Sequence, residues 1–589
     1  MLPRLLALIL LLLCSVWAMH RHGLAAERNA PDPVTLSIVG TTDLHGAVFP
    51  RDGRGGLALL GGYMKNLRAA RAADGGAVLL LDAGDTFQGT VESNLSQGAL
   101  VVDAYNALGY TAAAIGNHEF DFGPIDLGIP RPAPSGDPRG AIKARAAQAK
   151  YPFLAANLLD ESTGRPVEWP NVQPSVMVEA AGVTVGIVGV MTIDALRATL
   201  VANTRGLRMA PLAPTIAAEA ASLRSQGAQV VIVAAHAGGY CSRFDQPTDL
   251  SSCDPSSEIF EVAERLPTGL VDVIVAGHTH SGLAHQVAGI AITEAFSGGR
   301  AFGRVDVVVD RRTHRVVDVR FFPPQDLCAE ENPTTQTCDA AAERAGPLVP
   351  TRYEGRVVSP DPATIEAMAP ALARVRALQA THLGVVLDTP VRRVSDRPDD
   401  LESPLGNLFA DAIRESVPGA DVSINNNSRG GLRADLPTGP LTFGGLYDVF
   451  PFDNRLVPLI LTGAELVQVF AEEIRRGRRG ALGISGIRVR AGCSAQGLRV
   501  DLLRTTGRLI DAAERLLVVT TDMLATGAVF ASVAPPNGFQ LPDVAPIARE
   551  VVAAWLLRRG GRLRDDEFMN PAHRRWEYPD TLPAGCAAR

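Results

Sequence analysis

The sequence predicts an α/β fold with at least two domains. Short runs of mostly apolar and β-branched residues, such as 230–235 and 271–276, are typical of buried strands. Runs with helical spacing, such as 214–223, alternate with them, which is the pattern of an α/β protein. A chain of 589 residues is also long enough for more than one domain.

Polar side chains end five of these predicted strands. Asp43 and His45 follow the run 34–39, and Asp85 follows the run 77–81. Asn117 and His118 follow the run 112–115. His236 follows the run 230–235, and His278 and His280 follow the run 271–276. Ligand sites of α/β sheets gather at the carboxyl ends of strands. Five of the eleven histidines fall in these segments, and carboxylate and imidazole ligands suit Zn, Mn or Fe. The repeated pattern favours a metal site over a set of solvated loop histidines.

These segments resemble the ordered signature of the calcineurin-like metallophosphoesterases. The matching motifs are Asp43-Leu44-His45, Gly84-Asp85, Gly116-Asn117-His118-Glu119, His236 and Gly277-His278-Thr279-His280. The run from Gly116 to Asp121, with a second domain downstream, is similar to the 5′-nucleotidase family. The resemblance covers nearly the whole chain after its leader. It implies a two-sheet α/β sandwich, a linker helix and a second α/β domain that binds substrate.

The resemblance also implies the domain boundaries. They are a calcineurin-like domain at 31–345, a linker helix at 346–380 and a substrate-binding domain at 381–589. Ser-Pro-Asp-Pro at 359–362 is typical of a helix start. The apolar residues Ile365, Met368, Leu372 and Val375 follow at helical spacing, and they indicate an amphipathic connector helix.

Residues 1–26 are predicted to be a signal peptide. Arg4 precedes an apolar run at 5–17, which is shorter than a membrane span and has the length of a signal-peptide core. Gly23-Leu24-Ala25 offers a small-x-small cleavage site. We therefore expect export to the periplasm or the medium, with a retained N-terminal anchor as the alternative and no further membrane span.

Six cysteines follow the predicted leader, which itself contains Cys14. An even number of cysteines in an exported chain predicts disulfides. Closeness in sequence favours the pairs Cys241–Cys253, Cys328–Cys338 and Cys493–Cys586. The sequence contains no Cys-x-x-Cys spacing, so we do not expect a thiolate metal site.

The net charge of -7 provides no basic surface for nucleic acid. The resemblance implies a small phosphoester or nucleotide as the partner, and the sequence indicates no oligomeric state.

The resemblance implies two divalent metal ions, Zn, Mn or Fe. By residue-by-residue match, Asp43, His45, Asp85 and His280 would hold one ion, and Asp85, Asn117, His236 and His278 the other. Asp85 would bridge them, since a carboxylate has two oxygens. Such a pair lowers the pKa of a shared water and neutralises charge on a phosphoryl group. His118 matches the histidine that stabilises the transition state or protonates the leaving group, and Asp121 would orient its ring.

Three downstream motifs resemble the family's substrate-binding domain. They are the helix start at 403–412, the turn Gly430-Gly431-Leu432-Arg433 and the turn Pro451-Phe452-Asp453-Asn454. Glycines such as Gly430 and Gly431 let the backbone approach a ligand. Arg433 supplies a forked donor for phosphate, and Phe452 offers a face for a nucleobase.

Two departures from the family pattern affect this second half. Val529 stands where the family has an Asp that contacts the sugar or base, and Phe530 is one position out of register. The arginine on the phosphate side has three candidates, Arg392, Arg393 and Arg397, of which we adopt Arg393 and leave the others open.

The predicted function is an exported dinuclear-metal phosphohydrolase that releases phosphate from 5′-nucleotides with weak base selectivity. The alternative is hydrolysis of a nucleotide sugar, a 2′,3′-cyclic nucleotide or a thiosulfate-bearing carrier. A third hypothesis, a metal-binding surface protein without catalysis, would be marked by loss of a ligand or of His118. None is lost, and a complete set of ligands and acid–base groups is what catalysis requires.

Overall fold

A computed structural model gives the fold from residue 32 onwards. It describes residues 32–577 and Cys586, with gaps at 127, 129–135, 336, 339–346, 394–401, 429, 478–481, 495–496, 537, 543–544 and 571–573. The predicted leader and Arg397 lie outside the described residues. Among the described residues, the helices are all too short or too polar to cross a membrane.

Two sheets packed face to face form the N-terminal half, residues 32–357. The first sheet has the strand order Arg315–Asp326, Ala301–Asp310, Pro33–Thr41, Ala77–Asp82, Ala112–Ala114, Phe153–Leu154 and Val172–Gln173. The second has the order Gly282–Val287, Ile290–Ala295, Val273–Ala276, Val230–His236, Val183–Met191 and Ser175–Ala180. The strands that lead into the candidate ligands are parallel to one another within each sheet, so their carboxyl ends share one edge.

The alternation of side chains along each strand explains the layering. Leu36 and Ile38 point between the two sheets and pack there with Ile187 and Ile232, whereas Val39 faces the helices outside the first sheet. The helices of this half are Leu57–Ala73, Val91–Ser96, Ala99–Leu108, Gly140–Gln148, Val201–Thr204, Leu212–Ser225 and Glu258–Arg265. Short paired strands lie at Leu158–Asp160 with Leu207–Met209, Glu330–Glu331 with Val349–Pro350, and Arg352–Tyr353 with Arg356–Val357.

A long helix, Pro362–Gln379, leads to the C-terminal half. The Asp361 side chain caps it by accepting the backbone N–H of Thr364 at 2.9 Å. Its buried stripe includes Met368 and Val375, but Ile365 is half exposed. The reason is angular: Ile365 lies about 100° around the helix from Thr364, which heads the buried stripe.

The C-terminal half, residues 382–577, is a second α/β unit with its own cores. One sheet has the strand order Gly439–Thr442, His382–Leu387 and Gly561–Leu563. A second has the order Leu456–Thr462, Arg515–Thr521, Val422–Asn426 and Leu482–Ser485. A third has the order Gly497–Arg504, Ile487–Ser494 and Trp576–Glu577. Its helices are Pro404–Ser416, Phe443–Val449, Gly463–Arg475, Asp522–Thr526 and Ala548–Arg559. The predicted α/β class, with a two-sheet sandwich and a second α/β domain, is confirmed.

All three predicted disulfides are confirmed. Cys241 bonds to Cys253, Cys328 to Cys338 and Cys493 to Cys586. The last pair spans 93 residues and ties the C-terminal tail to strand Ile487–Ser494, whereas Cys328 and Cys338 are only 10 residues apart.

We expect removal of the long-range disulfide to cost more stability than removal of a short one. On the chain-entropy model, the 93-residue loop of Cys493–Cys586 contributes about 4.7 kcal/mol and the 10-residue loop of Cys328–Cys338 about 2.7 kcal/mol. Double Cys→Ser variants of each pair should follow that order in denaturant unfolding monitored by circular dichroism. Equal losses would contradict it, and non-reducing peptide mapping checks the pairing itself.

Candidate metal centre and substrate cleft

The candidate ligands meet where the parallel strands of both sheets end. Strand Pro33–Thr41 leads to Asp43 and His45, Ala77–Asp82 to Asp85, Ala112–Ala114 to Asn117 and His118, Val230–His236 ends on His236, and Val273–Ala276 leads to His278 and His280. The structure brings all seven candidate ligands and His118 into one cluster, in two groups joined through Asp85.

The first group surrounds the ring of His236, which is fully buried. His236 Nε2 lies 3.2 Å from Asp85 Oδ2 and 3.0 Å from Asn117 Oδ1. Nδ1 of His278 lies 3.2 Å from the same nitrogen. The other ring nitrogen, His236 Nδ1, is 2.9 Å from the carbonyl oxygen of Ala83, which fixes the ring orientation.

The second group consists of Asp43, His45 and His280. His45 Nε2 and His280 Nε2 lie 3.0 Å apart, and His280 Nε2 lies 3.4 Å from Asp43 Oδ1. Ligand atoms of His45 and Asp85 also lie within 4.8 Å of each other, so Asp85 stands between the groups. Imidazole nitrogens that converge on each other and on carboxylates form a donor set that fits divalent metal ions.

Backbone conformation is the feature of this cluster that the sequence does not reveal. Five of the seven candidate ligands have left-handed backbones: Asp43 (φ 49°), His45 (φ 49°), Asp85 (φ 57°), His278 (φ 77°) and His280 (φ 55°). This region favours glycine, and a non-glycine residue there costs about 1–3 kcal/mol. The convergence of the side chains therefore depends on bonds that hold these backbones in place.

Glu119 provides such bonds, although the sequence marked it only as part of a motif. Its buried carboxylate accepts the backbone N–H groups of Gly116 at 2.7 Å, Asp85 at 2.9 Å, Thr86 at 2.6 Å and Phe87 at 3.3 Å. It therefore joins the loop that carries Asp85 to the loop that carries Asn117. Burial, together with the nearby charge of Asp85, raises the pKa of Glu119 to about 7.

A second buried carboxylate, that of Asp82, also holds the loop that carries Asp85. It accepts hydrogen bonds from the hydroxyls of Thr41 at 2.7 Å and Tyr105 at 2.8 Å, and from the backbone N–H of Gly84 at 2.9 Å. Burial raises the pKa of Asp82 to about 6.

Asp85 and His236 control each other's charge. Burial alone would raise the pKa of Asp85, but the imidazoles of His236, His118 and His45 hold it below its ordinary value. Burial alone would lower the pKa of His236, but the carboxylate of Asp85 raises it to about 10. The position beside Asp85 thus attracts positive charge strongly, which is what a cation site requires.

His118 lies in the cluster next to His45 and Asp85, and it pairs with Asp121. Its Nδ1 is 2.6 Å from Asp121 Oδ2, and Asp121 Oδ1 accepts the hydroxyl hydrogen of Thr199 at 2.7 Å. Burial would lower the pKa of His118, but the hydrogen bond to Asp121 raises it to about 9. Its Nε2 lies 4.0 Å from Asp85 Oδ2, so this nitrogen faces the cluster, with a third of the side chain exposed. No sequence motif marks Thr199.

Two cavities lie between the halves of the chain. One, of about 450 Å³, is lined by Gly46 and Gly89 beside His45 and by Arg433 from the C-terminal half. The other, of about 520 Å³, lies between residues 200–205 and the segment that contains Arg455 and Asp522. Arg433 thus lines the cavity beside His45, and its guanidinium lies 4.8 Å from the ring of Phe452.

Other residues predicted for the substrate half have contacts of their own. An added Cβ on Gly431 would lie 2.0 Å from the carbonyl oxygen of Asn426, so packing within the turn requires this glycine. Gly430 is exposed. The backbone N–H of Arg393 donates to Asp435 at 2.9 Å, and Arg392 pairs with Asp565 at 3.1 Å.

Phe452, the predicted stacking residue, and Phe530, the residue out of register, differ in placement. Phe530 is fully buried in a hydrophobic core, with its ring 6.3 Å from that of Phe539, whereas Phe452 is half buried. Phe452 is held by Arg549, a residue that the sequence analysis missed. The fully buried guanidinium of Arg549 donates to the carbonyl oxygens of Phe450 at 3.1 Å and Phe452 at 3.0 Å and pairs with Asp453.

The N-terminal half and the C-terminal half of the chain are in direct contact. The buried Asn94 donates from Nδ2 to the hydroxyl of Tyr447 at 2.7 Å, and its Oδ1 accepts the N–H of Gly89 at 2.9 Å. Leu95, next in the chain, packs in the hydrophobic core of the C-terminal half.

Comparison with known proteins agrees with this architecture. Residues 36–282 match the family model for calcineurin-like phosphoesterase, and residues 382–533 match that for the 5′-nucleotidase C-terminal domain. The chain is 25% identical over 470 residues to Endonuclease YhcR of Bacillus subtilis (strain 168), covering 77% of this chain and 34% of that protein. The chain thus spans about a third of that relative's length.

Two further comparisons extend over most of both partners. Protein UshA of Escherichia coli (strain K12) is 23% identical over 530 residues, which is 84% of this chain and 85% of UshA. The crystal structure of a 5′-nucleotidase precursor from Thermus thermophilus aligns with a TM-score of 0.51 at 21% identity, over 93% of this chain and 99% of that one. The structural likeness supports the fold.

Asp85→Asn should remove most of the metal-binding capacity of the cluster. The amide is neutral and bridges poorly, and Asp85 lies between the two ligand groups. Divalent ions bound per chain, measured by inductively coupled plasma mass spectrometry after loading and desalting, should fall well below wild type. Asp245→Asn, at an exposed position, should keep the wild-type content. Unchanged loading in Asp85→Asn would contradict the bridging position.

Proposed function

Because the chain belongs to the family that joins a calcineurin-like phosphoesterase domain to a 5′-nucleotidase C-terminal domain, we propose that it is an exported dinuclear-metal 5′-nucleotidase. As a member of this family it is a metal-dependent phosphoester hydrolase. One observation carries the proposal: Asp85 lies within ligand distance of His45 on one side and of His236 and His278 on the other, and the His118–Asp121 pair adjoins it. Three disulfides support an oxidising compartment.

The proposed ligand sets are those that the family resemblance implies, and the distances are compatible with them. Asp43, His45 and His280 would hold one ion, Asn117, His236 and His278 the other, and Asp85 both. When bound, the ions supply Lewis acidity, which lowers the pKa of a water molecule and neutralises charge on the phosphoryl group.

His118 is proposed to act on the substrate through Nε2. Its Nδ1 is engaged by Asp121, which Thr199 holds in turn, so the ring is fixed with Nε2 toward the cluster. From there Nε2 can donate a proton to the leaving oxygen or a hydrogen bond to the phosphoryl group. Asp121 keeps the imidazole charged, because its carboxylate raises the pKa of His118.

Arg433 and Phe452 are proposed to bind the rest of the nucleotide. Arg433 lines the cavity beside His45 and offers a forked donor to phosphate. Phe452, held by Arg549, offers one face to a base. Phe530 is buried in the core and Val529 has no polar atom in its side chain, so neither supplies a second face or a base-reading hydrogen bond. This arrangement supports weak base selectivity.

The other two hypotheses are less well supported. Several relatives carry the name 5′-nucleotidase, which favours nucleotides over nucleotide sugars, cyclic nucleotides or thiosulfate carriers. A metal-binding protein without catalysis is not favoured, because the His118–Asp121 pair, with Asp121 held by Thr199, offers an acid–base group beside the proposed ligands.

We expect phosphate release from AMP, GMP, CMP and UMP with kcat/KM values within about tenfold, which is about 1.4 kcal/mol. A single stacking face and no hydrogen-bond reading of the base give little discrimination. The measurement is phosphate release by the mature protein with each nucleotide and a small non-nucleotide phosphomonoester. Arg433→Ala should raise KM for all four nucleotides alike. A preference beyond about a hundredfold for one base, or turnover only of another ester, would contradict the proposal.

His118→Asn should keep both ions but lower kcat by about 10²–10⁴-fold, the usual contribution of acid–base assistance. Asparagine fills similar space without a titrating group. Metal content and steady-state rates on AMP should be measured on the same preparation, with His382→Asn, at an exposed position, as control. Loss of metal in His118→Asn would mean that His118 is a ligand.

A further inference from the structure

The loop that carries His278 and His280 has an unusual backbone. Both residues have positive φ angles, 77° and 55°, and Thr279 lies between them. Two such residues in one short loop cost several kcal/mol, so the loop needs contacts that over-determine its shape. The backbone N–H of His278 donates to Asp43 at 2.9 Å. Further hydrogen bonds of this loop are made by Thr279 and Ser281.

The side chain of Thr279 is directed away from the ligand cluster. Its hydroxyl lies 2.5 Å from Glu294 Oε1 and 3.0 Å from the carbonyl oxygen of Gly239. Glu294 is buried in strand Ile290–Ala295, the parallel neighbour of Val273–Ala276. Thr279 therefore connects the two ligand histidines to a rigid strand as well as to a neighbouring loop.

Glu294 joins this loop to the one that follows His236. Besides Thr279, its carboxylate accepts the backbone N–H of Ser281 at Oε1 and that of Gly239 at Oε2, each at 3.3 Å. Ser281 follows His280, and Gly239 lies three residues after His236. An acceptor with two oxygens suits this position, because backbone N–H groups approach both of them.

We propose that Glu294 is a positioning residue of the metal centre, which acts through Thr279, Ser281 and Gly239 to hold His236, His278 and His280 in their ligand geometry. Its carboxylate is engaged by these loops rather than directed at the cluster, and nothing in the ligand motifs marks it. The inference rests on the proposed metal centre. Because His280 and His278 belong to different ligand groups, disturbance of their loop should weaken both ions.

The test separates a positioning role from general stability. Thr279→Val keeps the shape of the side chain but loses the hydroxyl, and it should lower the affinity for Co²⁺ and Mn²⁺ about 10–100-fold in competition with a chromogenic chelator. Thr279→Ser should restore affinity to within a few-fold. Glu294→Ala should reproduce the loss, and Thr279→Val should add little to Glu294→Ala. The visible Co²⁺ spectrum of Thr279→Val should also differ from wild type.

Thr293→Val is the matched control. Thr293 precedes Glu294, is equally buried, and its hydroxyl has no hydrogen-bond partner among the described residues. It should bind both metals with wild-type affinity. Wild-type metal affinity in folded Thr279→Val would overturn the inference, even if its melting temperature fell. Should Glu294→Ala fail to fold, the Val and Ser substitutions at Thr279 decide alone. Absence of metal binding by wild type would instead refute the proposed metal centre.

Discussion

The geometry of the proposed metal centre depends on the buried carboxylate of Glu119, which is not one of the proposed metal ligands. Four backbone N–H groups from two loops converge on Glu119. Hydrogen bonds of this kind contribute about 0.5–1.5 kcal/mol each, which together can offset the strain of the left-handed Asp85. These bonds fix the loop after strand Ala77–Asp82 relative to Asn117, together with the hydrogen bond that the backbone N–H of His118 donates to Asp85 Oδ1 at 2.8 Å.

The same principle recurs on the substrate side. Arg549 gives its buried guanidinium to two carbonyl oxygens and a carboxylate of the turn that carries Phe452. The short helix Val91–Ser96 then joins the two sides: Thr90, which caps it, donates to the carbonyl oxygen of Gly46 at 2.6 Å, while Leu95 packs in the C-terminal core. The loop of His45 and the substrate-binding half therefore share one helix as a support.

Sequence reasoning reached the features that follow from local pattern. The apolar strands and the polar residues at their ends are visible because parallel strands end at the same edge, which places Asp43 and Asp85 at the edge of one sheet and His236 and His278 at the edge of the other. The disulfides were visible because four of the cysteines are close in sequence and two were left over. What could not be predicted depends on distant partners. Glu119 and Arg549 serve backbone groups, which every residue has, so no sequence pattern distinguishes their role.

The placement of Phe530 also could not be predicted from the sequence, because it depends on packing against distant residues. The sequence places it one position out of register with the family's aromatic, and three-dimensional packing places it wholly in a core beside Phe539. A residue shifted by one in a helix or turn changes direction by about 100°. The metal side tolerates no such shift, since its ligands must meet within a few ångströms, whereas a stacking face can be lost at a cost of about 1–3 kcal/mol. On the proposed function, a chain with the family's full set of metal ligands and an altered base-binding part is therefore expected to retain the chemistry of the reaction and to lose part of its selectivity.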